Sequence, residues 1–210
     1  MKISQGNVIS IIGKRGSGKT LLTQSIVEKL AVSYPVFVFD MVHNWHKKKY
    51  RIFKTISIHE MPKNGVHVYQ EFQNSQFAQF TQEFYSRVAL LNDPAHISYP
   101  FFMVFDEIYL HVTNSNLDSP DNEAFKRLII LARNYGVGLI FTAQRPAILS
   151  KTILTASDFI YSFKLHHALD VKALQDCFDA VELMGLQPFH YAIYNNLDSS
   201  IKFCNPIPLK

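Results

Sequence analysis

The chain has 210 residues, 48% hydrophobic and 18% charged, enough apolar content for one substantial core and a single α/β domain over residues 1–210. Its formal net charge of +4 and pI near 9.0 suit a polyanionic partner without demanding one. Cys177 and Cys204 form no C-x-x-C spacing, which suggests neither a disulfide scaffold nor a zinc module and favours a reducing compartment, and no uncharged apolar run approaches the roughly 18 residues of a membrane-spanning helix.

In chain order, NVISII reads as a buried strand leading into a glycine loop, with an apolar run too short for a signal peptide. KTLLTQSIVEKLAVS follows as a helix, with Leu22, Ile26 and Leu30 four apart on one face. YPVFVFD, ending in Asp40, is a nearly continuous apolar strand of the kind a parallel sheet buries on both sides, and HVYQEF is a short third strand. Between Ser75 and Leu91, the positions Phe77, Phe80, Phe84, Val88 and Leu91 keep helical spacing. YPFFMVFDE returns to a strand, the polar TNSNLDSPDN is a loop, and Asn122 to Tyr135 reads as a helix turning Phe125, Leu128, Ile129 and Ala132 inward. VGLIFTAQ is another buried strand with a polar end. SDFIYSFKL, a helix across VKALQDCFDAVELM and the antiparallel pair FHYAIYNN and SIKFCNP complete the chain. This rhythm predicts an α/β fold with a mainly parallel central sheet flanked by helices. The 17 Phe and 10 Tyr predict aromatic core packing, subunit contacts or both.

Three strand ends carry chemistry. GKRGSGKT matches G-x-x-x-x-G-K-[ST] between a strand and a helix, where backbone N–H groups converge on phosphate at a helix N-terminus. The candidate ATP contacts are Gly13, Lys14, Arg15, Gly16, Ser17, Gly18, Lys19 and Thr20; Lys19 reaches the β and γ phosphates and the Thr20 hydroxyl ligates Mg²⁺. FFMVFDE delivers Asp106 and Glu107 to the carboxyl edge of the sheet, Asp106 to hold Mg²⁺ through water and Glu107 to orient and deprotonate the attacking water. FTAQRP places Gln144 to bond the lytic water or γ phosphate as a nucleotide sensor. Hydrolysis also calls for a cation opposite the leaving phosphate, for which Arg133 and Arg127 are candidates, although an arginine in a last helical turn also complements the helix dipole.

GKRGSGKT, FFMVFDE and especially ARNYGVGLIFTAQRP resemble the FtsK and HerA superfamily of DNA-pumping ring ATPases, and within it the small genome-packaging ATPases of viruses with an internal membrane. The likeness spans roughly residues 7 to 165. It implies a P-loop NTPase fold of the RecA-like, ASCE type and ATP hydrolysis with Mg²⁺. It also implies a ring, usually hexameric, around double-stranded DNA, with an arginine near Arg133 acting across the subunit interface. The chromosome translocases carry membrane helices and a winged helix, and the archaeal repair members an N-terminal barrel; 210 residues have room for none of these, which favours the viral packaging branch. The resemblance then implies packaging of a viral genome into a preformed capsid, contact with the capsid vertex or membrane-associated viral proteins, and location in the host cytoplasm or at the virion packaging vertex.

MVHNWHKKKYRIF, residues 41 to 53, is the most basic stretch. Lys47, Lys48, Lys49 and Arg51 suit contacts to a DNA backbone, Trp45 suits stacking or an interface, and the same loop serves equally as a subunit contact or a solvated surface. His43 and His46 lack a carboxylate or cysteine at ligand spacing, and His166 and His167 read as surface residues. Three other classes share the phosphate loop. A phosphotransferase needs an arginine-bearing lid and an acceptor pocket, a GTPase switch needs an N-K-x-D that is missing here, and a HerA-like ATPase processes DNA without packaging it.

Overall fold

β1 (Val8–Ile12), β2 (Pro35–Asp40), β7 (Phe101–Asp106), β8 (Val137–Ala143) and β9 (Phe159–Phe163) are buried at every residue, as expected of parallel strands covered on both faces. The computed structural model describes residues 3–46, 50–53, 64–70, 77–78, 81–86, 92–113, 115–175 and 177–208. With β3 (Arg51–Phe53), β4 (Gly65–Tyr69), β10 (Tyr191–Asn195) and β11 (Ser200–Cys204), these strands form, among the described residues, a nine-stranded sheet ordered β11-β10-β9-β1-β8-β7-β2-β4-β3. The pairings from β9 through β3 are parallel, and β10 and β11 add an antiparallel hairpin. β5 (Asn92–Asp93) and β6 (His96–Ile97) form a separate small ribbon.

Both sheet faces are covered. α1 (Lys19–Leu30) lays Leu22, Ile26 and Leu30 against Ile9, Ile11, Val36, Val38, Val104 and Ile140. On the other face α2 (Glu123–Leu131), extended by a 3-10 turn over Ala132–Tyr135, buries Phe125, Leu128, Ile129 and Ala132 as the periodicity predicts. There Phe39, Phe105 and Phe141 stack across three neighbouring strands, with centroids 4.8 and 5.6 Å apart, and Phe125 meets Phe105 edge-on at 5.2 Å. Much of the aromatic content therefore lies in this core, where ring pairs add to area burial.

Local chemistry sets the boundaries. Gly136, at φ 66°, ends the 3-10 turn in the left-handed region, and a Cβ there would lie 2.4 Å from Ile97 Cγ2. Gly138 pairs with Phe102 across β8 and β7, and the ring occupies the space of its missing side chain. The helix expected across VKALQDCFDAVELM is instead α4 (Ala168–Gln175), preceded in the chain by α3 (Lys151–Ala156) and followed by a 3-10 turn at Val181–Gly185. Beyond the helix the Phe178 amide still bonds Leu174 O at 3.0 Å, and its ring stacks on Tyr194 of β10 at 4.5 Å. In the segment from 75 to 91, helix is present at 77–78 and 81–86 with Phe77 and Phe84 buried; Phe80, Val88 and Leu91 lie outside the described residues.

The strand order matters most for function. β8 is inserted between β1 and β7, so the ends of β1, β8, β7 and β2 line up on one carboxyl edge, with Ile12 opposite Ala143 and Asp40 opposite Asp106.

Candidate nucleotide site

The loop after β1 has the conformation its glycines permit. Gly16 and Gly18 have φ of 77° and 98°, and Gly18 precedes the first turn of α1. A Cβ on Gly13 would sit 2.5 Å from Ser17 Oγ and 2.9 Å from Phe163, so the loop packs directly on the end of β9. Lys19 is buried, and its ammonium pairs with Glu107 Oε1.

Glu107 follows β7 with φ 56°, a left-handed conformation that turns its carboxylate back over the strand ends. Its amide donates to Thr142 Oγ1 at 2.8 Å, and that hydroxyl donates to Asp106 Oδ1 at 2.5 Å. Gln144 Nε2 donates to Glu107 Oε1 at 3.3 Å, so Lys19 from the first turn of α1 meets Glu107 and Gln144 from the ends of β7 and β8. Glu107 Oε2 and Ser17 Oγ are buried without a hydrogen-bond partner among the described residues. Burial pushes the Asp106 carboxyl above the usual carboxylate range; Thr142 and Lys19 oppose the shift, the neighbouring Asp40 adds to it, and Trp45 opposes it.

Asp40, Trp45 and Thr142 escaped the sequence reading as site residues. Asp40 accepts the amides of Asn44 and Trp45 at 2.9 and 3.0 Å and Gln70 Nε2 at 2.8 Å. The turn so formed drives Trp45 into the core, 0% exposed, where its indole donates to Asp106 Oδ2 at 3.3 Å. Trp45 is thus an internal brace in this chain. The one signal available was an aspartate ending an apolar strand, as Asp106 does.

A cleft of about 620 Å³ lies over these groups, lined by Lys14, Arg15, Lys19, Thr20, Glu107 and Gln144 among others. It adjoins an apolar slot of about 210 Å³ formed by Leu21, Phe163, Phe189, Pro206 and Ile207 beside Gly18. Phe189 lines both, is 56% exposed and has φ 63°. A phosphate cradle continuous with an aromatic slot fits a nucleotide. For Mg²⁺, Thr20 lines the cleft, and the buried Asp106 stands one residue from Glu107, suiting an outer-sphere role.

The remaining predicted residues lie elsewhere. Arg133 precedes β8 and Gln144 follows it, so about seven residues of strand, roughly 23 Å, separate them. Arg133 pairs with Asp158, which also accepts from Asn7 Nδ2 and the Val8 amide. Arg127 is exposed on α2 and pairs with Glu123 at 2.9 Å. Arg51 is exposed on β3 at the far sheet edge; Lys47, Lys48 and Lys49 lie outside the described residues.

No protein-family profile matches the chain, and no curated protein matches it in sequence. Solved structures do match. The genome-packaging NTPase B204 of Sulfolobus turreted icosahedral virus 2, in complex with AMPPCP, superposes with a TM-score of 0.78 over 97% of this chain and 99% of its own, at 18% identity. The chain shares the P-loop NTPase fold of that structure. The conjugation coupling protein TcpA, with ATPγS, matches at TM-score 0.65 and 13% identity over 94% of this chain and 59% of that one. The N-terminal domain of zonular occludens toxin from Neisseria meningitidis matches at 0.54 and 13% identity, covering 97% and 96%. The α/β class and the P-loop architecture expected from the sequence are borne out, and no described helix is long and apolar enough to cross a membrane.

Proposed function

We propose that this chain is an Mg²⁺-dependent ATPase that translocates double-stranded DNA, packaging a viral genome into a preformed capsid as part of a ring. The observation that carries the ATPase reading is the meeting of Lys19, Glu107 and Gln144 over a glycine cradle, with the second Glu107 oxygen buried and unbonded among the described residues. The likeness of fold to a genome-packaging NTPase over nearly the whole of both chains supports the DNA-motor reading.

The phosphates of ATP lie on the loop amides of residues 15 to 20, and the base enters the slot beside Phe189. Thr20 and, through water, Asp106 would hold Mg²⁺, which would supply neutralisation of charge on the phosphates. Lys19 leaves Glu107 Oε1 for the β and γ oxygens, while Oε2, already unbonded among the described residues, accepts the attacking water. The water oxygen attacks the γ phosphorus, its proton passes to Glu107, and the bond to the ADP oxygen breaks. Gln144, bonded to Glu107 in this structure, exchanges that contact for the water or γ phosphate and so senses occupancy. The trans cation of the ring is assigned to Arg133 or Arg127, and Lys47, Lys48, Lys49 and Arg51 to DNA backbone contacts.

The test is ATP turnover with and without double-stranded DNA at low and physiological salt. Stimulation by duplex that fades with salt is the expected result. Turnover indifferent to DNA, or transfer of phosphate to an acceptor other than water, rejects the motor reading.

A further inference from the structure

A second groove opens on the outer side of the phosphate loop. Of about 360 Å³, it is walled by Lys14, Arg15, Gln144, Arg145, Lys164 and the pair His166 and His167. Lys14, Arg15 and Gln144 also line the nucleotide cleft, so the two depressions share a wall. The chain brings these residues together by topology. β1, β8 and β9 are adjacent, and Lys14, Arg145 and Lys164 each lie one or two residues beyond the end of one of them.

The groove contains a single carboxylate among the described residues, Asp170 on α4, and it serves as a brace. Asp170 is 5% exposed in its side chain; it accepts the Ala147 amide at 3.3 Å and holds Arg145 Nε at 3.4 Å. Arg145, 45% exposed, is thereby fixed by a buried anion while its guanidinium stays at the surface. The cations otherwise crowd one another. After burial, Lys14, Lys164 and His167 all work to hold the His166 imidazole below its ordinary range.

We propose that this groove binds backbone phosphates of double-stranded DNA, so that nucleic acid and nucleotide meet on opposite sides of Gln144. The assignment rests on the DNA-motor reading above. A single buried anion site would demand buried donors, whereas exposed cations spread across three strand ends suit a continuous polyanion gripped without reading sequence. The shared wall gives the groove its use. A change at Gln144 or the phosphate loop on loss of the γ phosphate alters the surface on which the backbone rests, with no relay through the rest of the fold.

The experiment is a salt titration of binding to two unrelated labelled duplexes by the full chain with a non-hydrolysable ATP analogue, comparing wild type with Arg145→Gln and Lys164→Glu. Both variants are expected to bind both duplexes more weakly, and Arg145→Gln to lower the slope of log affinity against log salt by about 0.9 for each DNA phosphate that the variant no longer neutralises. Analogue affinity of Lys164→Glu stays at the wild-type value. Because Arg145→Gln strips a buried carboxylate of its cation, Lys164→Glu carries the test if the arginine variant fails to fold. Wild-type binding with unchanged affinity and slope in Lys164→Glu overturns the groove while leaving the motor reading intact. No duplex binding by wild type overturns both. Loss of self-association in Lys164→Glu with DNA binding retained overturns the proposal and assigns the groove to an acidic face of a second copy.

Discussion

The Trp45 indole N–H donates to Asp106 Oδ2 at 3.3 Å, while Thr142 Oγ1 donates to Oδ1 at 2.5 Å, so both oxygens of the proposed metal carboxylate are held in place. Trp45 is the chain's sole tryptophan. Its emission is therefore expected to shift when Mg²⁺ and an ATP analogue bind together, and Asp106→Asn is expected to abolish the part that depends on the metal. Trp45→Phe removes one charge-assisted bond and should cost about 1.5–3 kcal/mol of stability, read by chemical denaturation. An emission spectrum indifferent to nucleotide and metal rejects the coupling.

Lys19 and Glu107 are paired in this structure but have separate tasks in the proposed reaction. Lys19→Ala should lose nucleotide binding. Glu107→Gln should bind an ATP analogue at least as well as wild type, since Lys19 no longer has to leave a carboxylate, while turnover falls by about 10²–10⁴-fold. Calorimetric binding and steady-state turnover on both variants check this, and equal loss of affinity in the two rejects the division of roles.

At the amino edge, Arg133 is 60% exposed and Asp158 is buried beneath it. Arg133→Ala should lower stability by about 1–3 kcal/mol, because the carboxylate loses its cation but keeps the Val8 amide and Asn7. Mixing Arg133→Ala with Lys19→Ala subunits separates a brace from a trans finger. Recovered turnover is expected if Arg133 acts across the interface; absence of recovery in verified mixed assemblies transfers that role to Arg127 or to another residue.

Gly138 lies near the start of β8 with Phe102 across it, and an added Cβ would stand 2.1 Å from a ring carbon. Gly138→Ala should destabilise by about 1–3 kcal/mol through overpacking. Phe102→Leu should restore part of the loss in the double variant, a coupling measurable by a double-mutant cycle. Additive losses in that cycle would show that the ring is not the obstacle.

The phosphate loop was legible in the sequence because its chemistry is contiguous. Gly13 to Thr20 needs only a strand before it and a helix after it, and both are encoded locally by apolar runs and helical spacing. Asp106, Glu107 and Gln144 were legible for a related reason, since each stands at the end of a strand buried on both faces and parallel strands deliver their ends to one edge. The partners of those residues were not legible. That Trp45 braces Asp106 depends on β2 lying beside β7, and that Phe189 faces Gly18 depends on the terminal hairpin extending the sheet beyond β9. The seating of Arg133 on Asp158, and of Arg145 on Asp170, likewise joins residues 25 positions apart. Strand order is decided by packing over the whole sheet, in which many weak side-chain contacts are summed, and local pattern carries no record of that sum.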